Sequence, residues 1–429
     1  MDNMITFKDK KQKEYLDIID GIESSLFPDM SLKQILWNET YYCLDSKITF
    51  KGMIRLLFFK VSVVDSTLSS NDLLCLYTKN YRNDHDGYWE KIKEDAGPHD
   101  NITIRSKVLK LDLFSAFKKF VWYQTAKKEL NKIPSTKDKK YLARQMAKRK
   151  SVLEDIKKLN IKPEVVMCFF DSAPDENVLM QYFKNQGAIT ITNQHGQALY
   201  QSTEYDRMNQ SQILNFKCDY YFAKGNKQIE QFLMAGFSRE HFRAIGIVGG
   251  VEAIVEHHDS KCFGIYLDCP SLPFADTTNL KMIETGKLIS KTIGYKYIIK
   301  THPAEKKGKY NSLADESCVG IYGKETTLQE TFSKVDFCIT HASATYVDVY
   351  IYGLRCFRMK TEVYYPLSYE EDEFETVIEL ETKLEKWNGS SLSKQVEYIE
   401  YVRKMYDSGW QKGDIEKAIN DILEHNCGK

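Results

Sequence analysis

The sequence predicts an α/β protein with two domains, each built on a parallel β-sheet. Short apolar runs alternate with helical patterns along most of the 429 residues, and a parallel sheet with crossover helices requires this alternation. The pattern restarts after Gly249 and Gly250, and a chain of this length favours two domains over one. We therefore expect domains at 1–250 and 251–390, with helices over 391–429 that pack back toward the first domain.

Nine apolar runs are predicted strands, and they fall into two groups that match the two domains. The first group is 73–78, 165–170, 188–192, 220–223 and 242–248. The second group is 262–267, 295–300, 335–340 and 355–359. Each run of the second group is continuous enough to be covered on both faces of a sheet.

Helices are predicted between these strands. A long polar helix spans 136–159, and another helix follows the segment 341–345. A further helix begins near Thr327, because Glu330 completes the Ser/Thr-x-x-Glu spacing of a capping box. The segment VEYIEYVRKMY, after residue 391, has an amphipathic helical pattern.

Charge and hydropathy exclude several classes of protein. Lys plus Arg and Asp plus Glu are both 60, so no bulk field draws the chain to nucleic acid or to a membrane. The stretch 53–64 is broken by Arg55 and Lys60, and no apolar signal core opens the chain. We expect a cytoplasmic protein. The basic segment 138–149 is either a solvated helix face or a peripheral contact with the cytoplasmic face of the inner membrane.

The ten cysteines are scattered and form no Cys-x-x-Cys pair. Several lie inside apolar runs, as Cys168 and Cys338 do. In a reducing compartment this pattern favours buried free thiols over disulfides or zinc ligands. We expect neither a metal nor a cofactor.

Three histidines come directly behind predicted strands, where ligands of open parallel sheets bind. His195, in ITNQHG, could accept a proton from an acceptor hydroxyl, or simply bond to the backbone. His302 precedes Pro303, which holds it extended, and a protonated ring there would complement a phosphate. Lys300, at the end of the same strand, adds charge.

The third histidine, His341, opens the segment His-Ala-Ser-Ala-Thr, and a helical pattern follows it. Ser343 and Thr345 would present hydroxyl and backbone N–H donors at the positive end of that helix, which makes a phosphate cradle. In the alternative interpretation, one of these residues merely caps the helix. Asp171 also follows a strand and is a candidate base, although FFDSAPDEN fits an ordinary helix start too. The adjacent His257 and His258 are more typical of a surface linker.

Other catalytic signatures are absent from the sequence. It contains no Walker phosphate loop, no Gly-x-Gly-x-x-Gly, no His-Glu-x-x-His and no Gly-x-Ser-x-Gly. The common nucleotide hydrolases, dehydrogenases, metalloproteases and esterases therefore lack their usual parts here.

Taken in order, the Gln-His-Gly loop at 194–196, the His-Pro pair at 302–303 and the hydroxyl cluster at 343–345 resemble a known superfamily. It contains CDP-glycerol glycerophosphotransferases, capsule polysialyltransferases and Kdo transferases, and the similarity covers roughly residues 160–370. The resemblance implies a GT-B fold, in which two Rossmann-like domains face each other across a cleft. It implies that His302, Ser343 and Thr345 hold the donor phosphate and that His195 faces the acceptor. Ala344 separates the two hydroxyl residues, which are often adjacent in that family.

The predicted reaction is metal-independent transfer from a CMP-, CDP- or UDP-linked donor to a hydroxyl of a bacterial surface glycan, of the capsule, lipopolysaccharide or teichoic acid type. The acceptor is a glycan or a lipid-linked glycan, and His195 or Asp171 deprotonates it. Two alternatives stay open at this point. One is a nucleotide-sugar epimerase on the same scaffold. The other is a non-catalytic scaffold protein that docks through 138–149.

Overall fold

The computed structural model describes residues 7–44, 50–67, 72–79, 83–109, 112–197, 211–250, 260–270, 275–361 and 369–427. The chain divides into two compact units. The first comprises 1–224, 228–248 and 410–429, and the second comprises 225–227 and 249–409. Each unit contains one largely parallel sheet with helices, so the predicted α/β class is confirmed. The boundary predicted between 250 and 251 lies next to the division at 248/249.

The strands are numbered in chain order. They are β1 (Phe59–Thr67), β2 (Leu73–Thr78), β3 (Asp100–Leu109), β4 (Val165–Cys168), β5 (Ile189–Asn193), β6 (Tyr220–Ala223), β7 (Phe242–Ala244), β8 (Cys262–Tyr266), β9 (Lys296–Lys300), β10 (Cys318–Tyr322), β11 (Phe337–Thr340), β12 (Arg355–Met359) and β13 (Glu373–Phe374).

The helices are numbered in the same way. They are α1 (Phe7–Asp20), α2 (Leu32–Ile35), α3 (Trp37–Tyr42), α4 (Phe50–Phe58), α5 (Asn83–Asp95), α6 (Leu113–Glu129), α7 (Thr136–Lys157), α8 (Pro174–Asn185), α9 (Ser211–Leu214), α10 (Asn226–Met234), α11 (Ala275–Ile293), α12 (Leu328–Phe332), α13 (Thr345–Tyr352), α14 (Val377–Asn388), α15 (Leu392–Tyr406) and α16 (Asp414–Cys427).

The first unit is built on a sheet with the strand order β1-β3-β2-β4-β5-β6-β7. All neighbours are parallel except β1, which pairs antiparallel with β3. Successive side chains of β2 enter two separate cores, Leu74 and Leu76 on one face and Cys75 and Tyr77 on the other. Both faces of the sheet are therefore covered, which explains the unbroken apolar runs in its central strands.

The second unit has the strand order β10-β9-β8-β11-β12-β13, and all its strands are parallel. The chain moves outward from β8 to β9 and β10 and then returns to β11 on the other side of β8. The order therefore reverses between β8 and β11. In open parallel sheets this reversal opens a crevice at the carboxyl ends of the two strands, where ligands bind.

The nine predicted strands are all present, and the predicted capping box is confirmed at the start of α12. Four strands were not predicted by the sequence: β1, β10 and the two-residue β13, which lie at sheet edges, and the internal strand β3, where polar and apolar residues alternate. Edge strands tolerate polar side chains and partial exposure, so they lack a continuous apolar run. The predicted strand 242–248 ends already at Ala244.

The C-terminal helices over 391–429 are divided between the two units. Helix α15 belongs to the second unit, where the Tyr406 ring contacts Tyr346 of α13. Only the last residues return to the first unit. There Asp95 accepts hydrogen bonds from Trp410 Nε1 at 2.9 Å and from the backbone N–H of Ile415 at 3.0 Å.

The basic segment 138–149 lies in α7 and does not form a continuous solvated face. Arg149 is only 4 % exposed, with one guanidinium nitrogen 2.7 Å from Glu39 Oε1 and another 2.9 Å from Asp175 Oδ1. Tyr141 also donates to Glu39, at 2.8 Å. The charge of Arg149 therefore balances buried carboxylates and is not available to a membrane or a docking partner, which corrects the prediction at this residue.

The nine cysteines whose side chains the structure describes are free, and seven of them are buried, as the sequence predicted. Among the described helices, none is both long and apolar enough to cross a membrane. His257 and His258 lie outside the described residues.

Candidate functional site

Three neighbouring strands of the second unit are followed by polar residues at their carboxyl ends. Asp268 follows β8, His302 follows β9 and His341 follows β11. Neighbouring strands lie about 4.8 Å apart, so β9 and β11 are separated by about 10 Å with β8 between them. Asp268 and His341 come from the two strands that flank the reversal of strand order. The sequence did not single out Asp268, although it directly follows the apolar run of β8.

Asp268 and His341 form a fully buried pair. His341 Nδ1 lies 2.7 Å from Asp268 Oδ2, and the Ala342 N–H donates to Asp268 Oδ1 at 2.8 Å. Because the carboxylate accepts, Nδ1 of His341 donates. His341 Nε2 lies 2.8 Å from the hydroxyl of Thr361, and Arg358 Nε donates to the His341 carbonyl at 2.7 Å.

These contacts correct the predicted role of His341 as a phosphate ligand. Both ring nitrogens are occupied, and the side chain has no exposed surface. His341 instead fixes the backbone between β11 and α13, with Asp268 as its anchor. The pair thereby positions the residues that open α13.

The start of α13 presents several hydrogen-bond donors together. Ser343 Oγ lies 2.9 Å from Thr345 Oγ1 and accepts from the Thr345 N–H, the first N–H of the helix, at 3.2 Å. If Ser343 donates to Thr345, the proton of the Thr345 hydroxyl remains able to donate to a ligand. Within the described part of the chain, no acceptor contacts the backbone N–H of Ser343 or Ala344. The N-terminal end of α13, where the helix dipole is positive, therefore has backbone N–H groups that can still donate a hydrogen bond. Such groups bind anions.

His302 is half-buried, and one of its ring nitrogens is oriented by the backbone. The Ala304 N–H donates to Nδ1 at 3.1 Å, so in the neutral ring the proton is on Nε2. Thr301 holds the same loop, because its hydroxyl donates to the Tyr322 carbonyl at 3.2 Å. The ring of His302 thus offers Nε2–H as its remaining donor.

The ammonium of Lys300 is bound by backbone carbonyls, which differs from its predicted role as a phosphate ligand. Its ammonium is buried and donates to the Gly323 carbonyl at 2.6 Å, and burial lowers the pKa of this lysine. Lys300 ties the end of β9 to the loop that follows β10. It thereby supports the His302 loop.

In the first unit, the Gln-His-Gly loop places the His195 ring among other aromatic rings. The His195 ring lies 4.9 Å from Phe170, 5.2 Å from Phe169 and 4.4 Å from His85, measured between ring centroids. Gln194 shapes the loop, because its side chain donates to the Gly196 carbonyl at 2.8 Å and accepts from the Lys224 N–H at 2.7 Å. The sequence did not single out His85, because it lies within a polar helix and not behind a strand.

Asp171 is not placed to act as a base, which corrects its predicted catalytic role. It is 1 % exposed, and Oδ2 accepts from the backbone N–H groups of Lys217 at 2.8 Å and Cys218 at 3.2 Å. Burial raises its pKa to about 6. Asp171 therefore anchors the segment that leads into β6. Glu176, which the sequence did not single out, bridges the Thr78 and Phe170 N–H groups in the same way, and burial raises its pKa to about 8.

Replacing Asp171 by asparagine is expected to preserve the fold and to stabilise it above pH 6. The folded carboxyl binds its proton more tightly than the unfolded one, so the wild-type chain loses stability as pH rises from about 4 to about 6. Asparagine has no such proton, and its oxygen can accept the two N–H bonds. The difference in free energy of unfolding should grow through this window to at most about 3 kcal/mol and then stay constant. Urea unfolding at several pH values measures it.

The Asp171→Asn variant needs a matched control. Asp171→Ala leaves both N–H groups without an acceptor, so it should be less stable than Asp171→Asn by about 1–3 kcal/mol for each group at every pH. If Asp171→Asn were instead destabilised at pH 8 as strongly as Asp171→Ala, the anchoring role would be wrong.

The chain matches no protein-family model and no curated protein. It is similar to several solved structures. A UDP-GlcNAc 2-epimerase from Methanocaldococcus jannaschii, in complex with UDP-GlcNAc and UDP, is 12% identical with a TM-score of 0.48, and the match covers 82% of this chain and 99% of that one. TarM is 14% identical with a TM-score of 0.45 over 64% of this chain, and the match spans 58% of TarM. The pneumococcal O-GlcNAc transferase GtfA, in complex with UDP and GlcNAc, is 13% identical with a TM-score of 0.41, covering 65% and 60%.

Proposed function

We propose that this chain is a transferase that binds a nucleotide-activated donor in its second unit and moves the donor's group to an acceptor hydroxyl. One observation carries the proposal. The carboxyl ends of β9 and β11, the strands on either side of β8, present the His302 Nε2–H from the first and the open N–H groups of Ser343 and Ala344 and the Thr345 hydroxyl from the second. These groups are all donors, and the carboxylate of Asp268 is already paired.

A cluster of donors at a helix terminus favours a phosphate over a neutral ligand. The dipole of α13 contributes partial positive charge at this end, and the groups are held in place before the ligand arrives. We therefore assign the phosphate or diphosphate of the nucleotide-activated donor to the carboxyl ends of these strands.

The transfer step follows from this placement. The acceptor oxygen forms a bond to the transferred group while the bond from that group to the donor phosphate oxygen breaks. The electron pair of the broken bond stays on the leaving nucleotide, and its new negative charge is stabilised by the His302 and α13 donors. The proton of the acceptor hydroxyl goes to a base.

We assign the base to His195 of the first unit. Its ring is packed edge-to-face or tilted against three neighbouring rings, which fixes its orientation. An imidazole can accept a proton near neutral pH. The motif resemblance supports a surface glycan as the acceptor and a CMP-, CDP- or UDP-linked donor.

The test is thermal stabilisation of the purified chain by CMP, CDP, UDP, GDP and dTDP, with and without Mg²⁺. A nucleotide that binds only the folded chain should stabilise it by about 2.7 kcal/mol at one hundred times its Kd. His302→Ala removes a hydrogen bond to a charged group, which should weaken binding about 10- to 100-fold. Thr345→Ala should weaken it less.

The matched control is His241→Ala. His241 is another partly exposed histidine, and its Nδ1 contacts the Asp219 carbonyl in the first unit. It should bind nucleotide like the wild-type chain. Equal stabilisation of His302→Ala and wild type would contradict the assigned phosphate site. Turnover of a nucleotide sugar without any acceptor would identify an epimerase instead of a transferase.

A further inference from the structure

Helix α6 of the first unit exposes an apolar face that the proposed reaction does not use. Nine consecutive residues contain five of the fifteen large hydrophobic side chains that are exposed in the described part of the chain. They are between 43 and 78 % exposed, and they are Leu113, Phe114, Phe117, Phe120 and Val121. The buried side of the helix is less apolar, since it includes Lys119 and Tyr123. The usual arrangement of a surface helix is therefore reversed.

The five side chains share one stripe of the helix. At about 100° per residue they fall within an arc of about 120°, and they extend about 12 Å along the axis. Lys128 lies on the same arc, two turns further along. Lys118 extends over the Phe114 ring, with its ammonium 4.5 Å from the ring centroid. A lysine stem in this position covers apolar surface while its charge stays in a polar layer.

The charges around the stripe have one sign, apart from the capping residue. The exposed charged side chains of α6 are Lys118 and Lys128, and exposed lysines continue at 132, 137 and 140. The acidic Glu129 is held by the hydroxyls of Ser24 and Ser25 at 2.7 and 2.6 Å. Asp112 is exposed, but it caps the helix N-terminus. The face therefore combines apolar insertion with positive charge.

We propose that this face of α6 docks on an anionic lipid surface. The phenylalanine and leucine side chains enter the boundary between head groups and acyl chains, and the lysines contact the anionic head groups. A second copy of the chain fits the face less well, because a two-fold contact would bring the same lysines together. The surface differs from the segment 138–149, in which Arg149 is buried and paired.

The test is co-sedimentation of the full chain with vesicles of phosphatidylcholine alone or with roughly one third phosphatidylglycerol. Binding is expected only to the anionic vesicles, and it should weaken at high salt. Replacing Phe114 and Phe117 together by glutamine should weaken binding about 100-fold, or about 10-fold for each ring. Replacing Lys128 and Lys132 by glutamine should cost about fivefold for each charge.

The matched control is Ile378→Gln, because Ile378 is 74 % exposed on α14 of the second unit without such a stripe. It should bind vesicles like the wild-type chain, and circular dichroism should show that all variants are folded. Two outcomes would overturn the proposal. One is no binding of the wild-type chain to anionic vesicles, or binding that the phenylalanine variant retains. The other is a dimer in sedimentation velocity that the phenylalanine variant abolishes while vesicle binding is absent.

Discussion

Replacing Asp268 by alanine is expected to lower the free energy of unfolding by about 3–5 kcal/mol and to abolish nucleotide binding. The change leaves the Nδ1–H of His341 and the N–H of Ala342 buried without an acceptor. The segment that opens α13 then loses its anchor, and the donors of Ser343 and Thr345 lose their fixed position. Urea unfolding measures the first effect, and nucleotide-dependent melting measures the second.

Two further variants make this result specific. Asp268→Asn keeps an oxygen for Ala342 and can donate to His341 if that ring changes its tautomer, so it should cost much less than alanine. Asp276→Ala removes an aspartate that is 76 % exposed and paired with Lys309, and should cost at most about 1 kcal/mol. Wild-type stability of Asp268→Ala would contradict the buried pair.

Replacing Arg149 by alanine is expected to destabilise the first unit by about 3–5 kcal/mol. The guanidinium contacts Glu39 and Asp175, and both carboxylates are buried. Removing the cation leaves these charges without their main partner, and neither can move to solvent. Chemical unfolding followed by tryptophan fluorescence measures the loss, since Trp37, Trp89 and Trp122 belong to this unit.

The control for this variant is Arg144→Ala on the same helix. Arg144 is half-buried, and its guanidinium lies 5.2 Å from the centre of the Tyr141 ring. A cation over an aromatic ring near the surface contributes about 0.5–1 kcal/mol, so this variant should lose no more than that. Equal losses in the two variants would show that burial of the ion pairs does not set the cost at Arg149.

Much of the fold could be predicted from the sequence, because its central strands are buried on both faces. Burial on both faces demands an unbroken apolar run, as in β8 and β11, and such runs are visible without any tertiary information. The edge strands β1, β10 and β13 and the internal strand β3 gave no such signal. Helix α15 belongs to the second unit, which the sequence could not show, because an amphipathic pattern indicates that a helix has a partner and not which partner it has.

The candidate site could be located but not resolved in detail. His302, Ser343 and Thr345 were placed correctly behind β9 and β11. Asp171, Lys300 and His341 have the same sequence signal, yet each is occupied by other groups of the chain. A polar residue behind a strand can point to a ligand or hold the backbone, and the sequence pattern is the same in both cases.

The sequence by itself determined the α/β class, the central strands other than β3, and the carboxyl ends of strands where polar residues gather. These features follow from local periodicity and from the order of apolar and polar residues along the chain. Only the tertiary structure decided which polar groups stay open. Asp268 and His341 are 73 residues apart in the chain, and Glu39 and Arg149 are 110 apart. Strand order and helix packing bring such partners together, and no local pattern encodes that pairing.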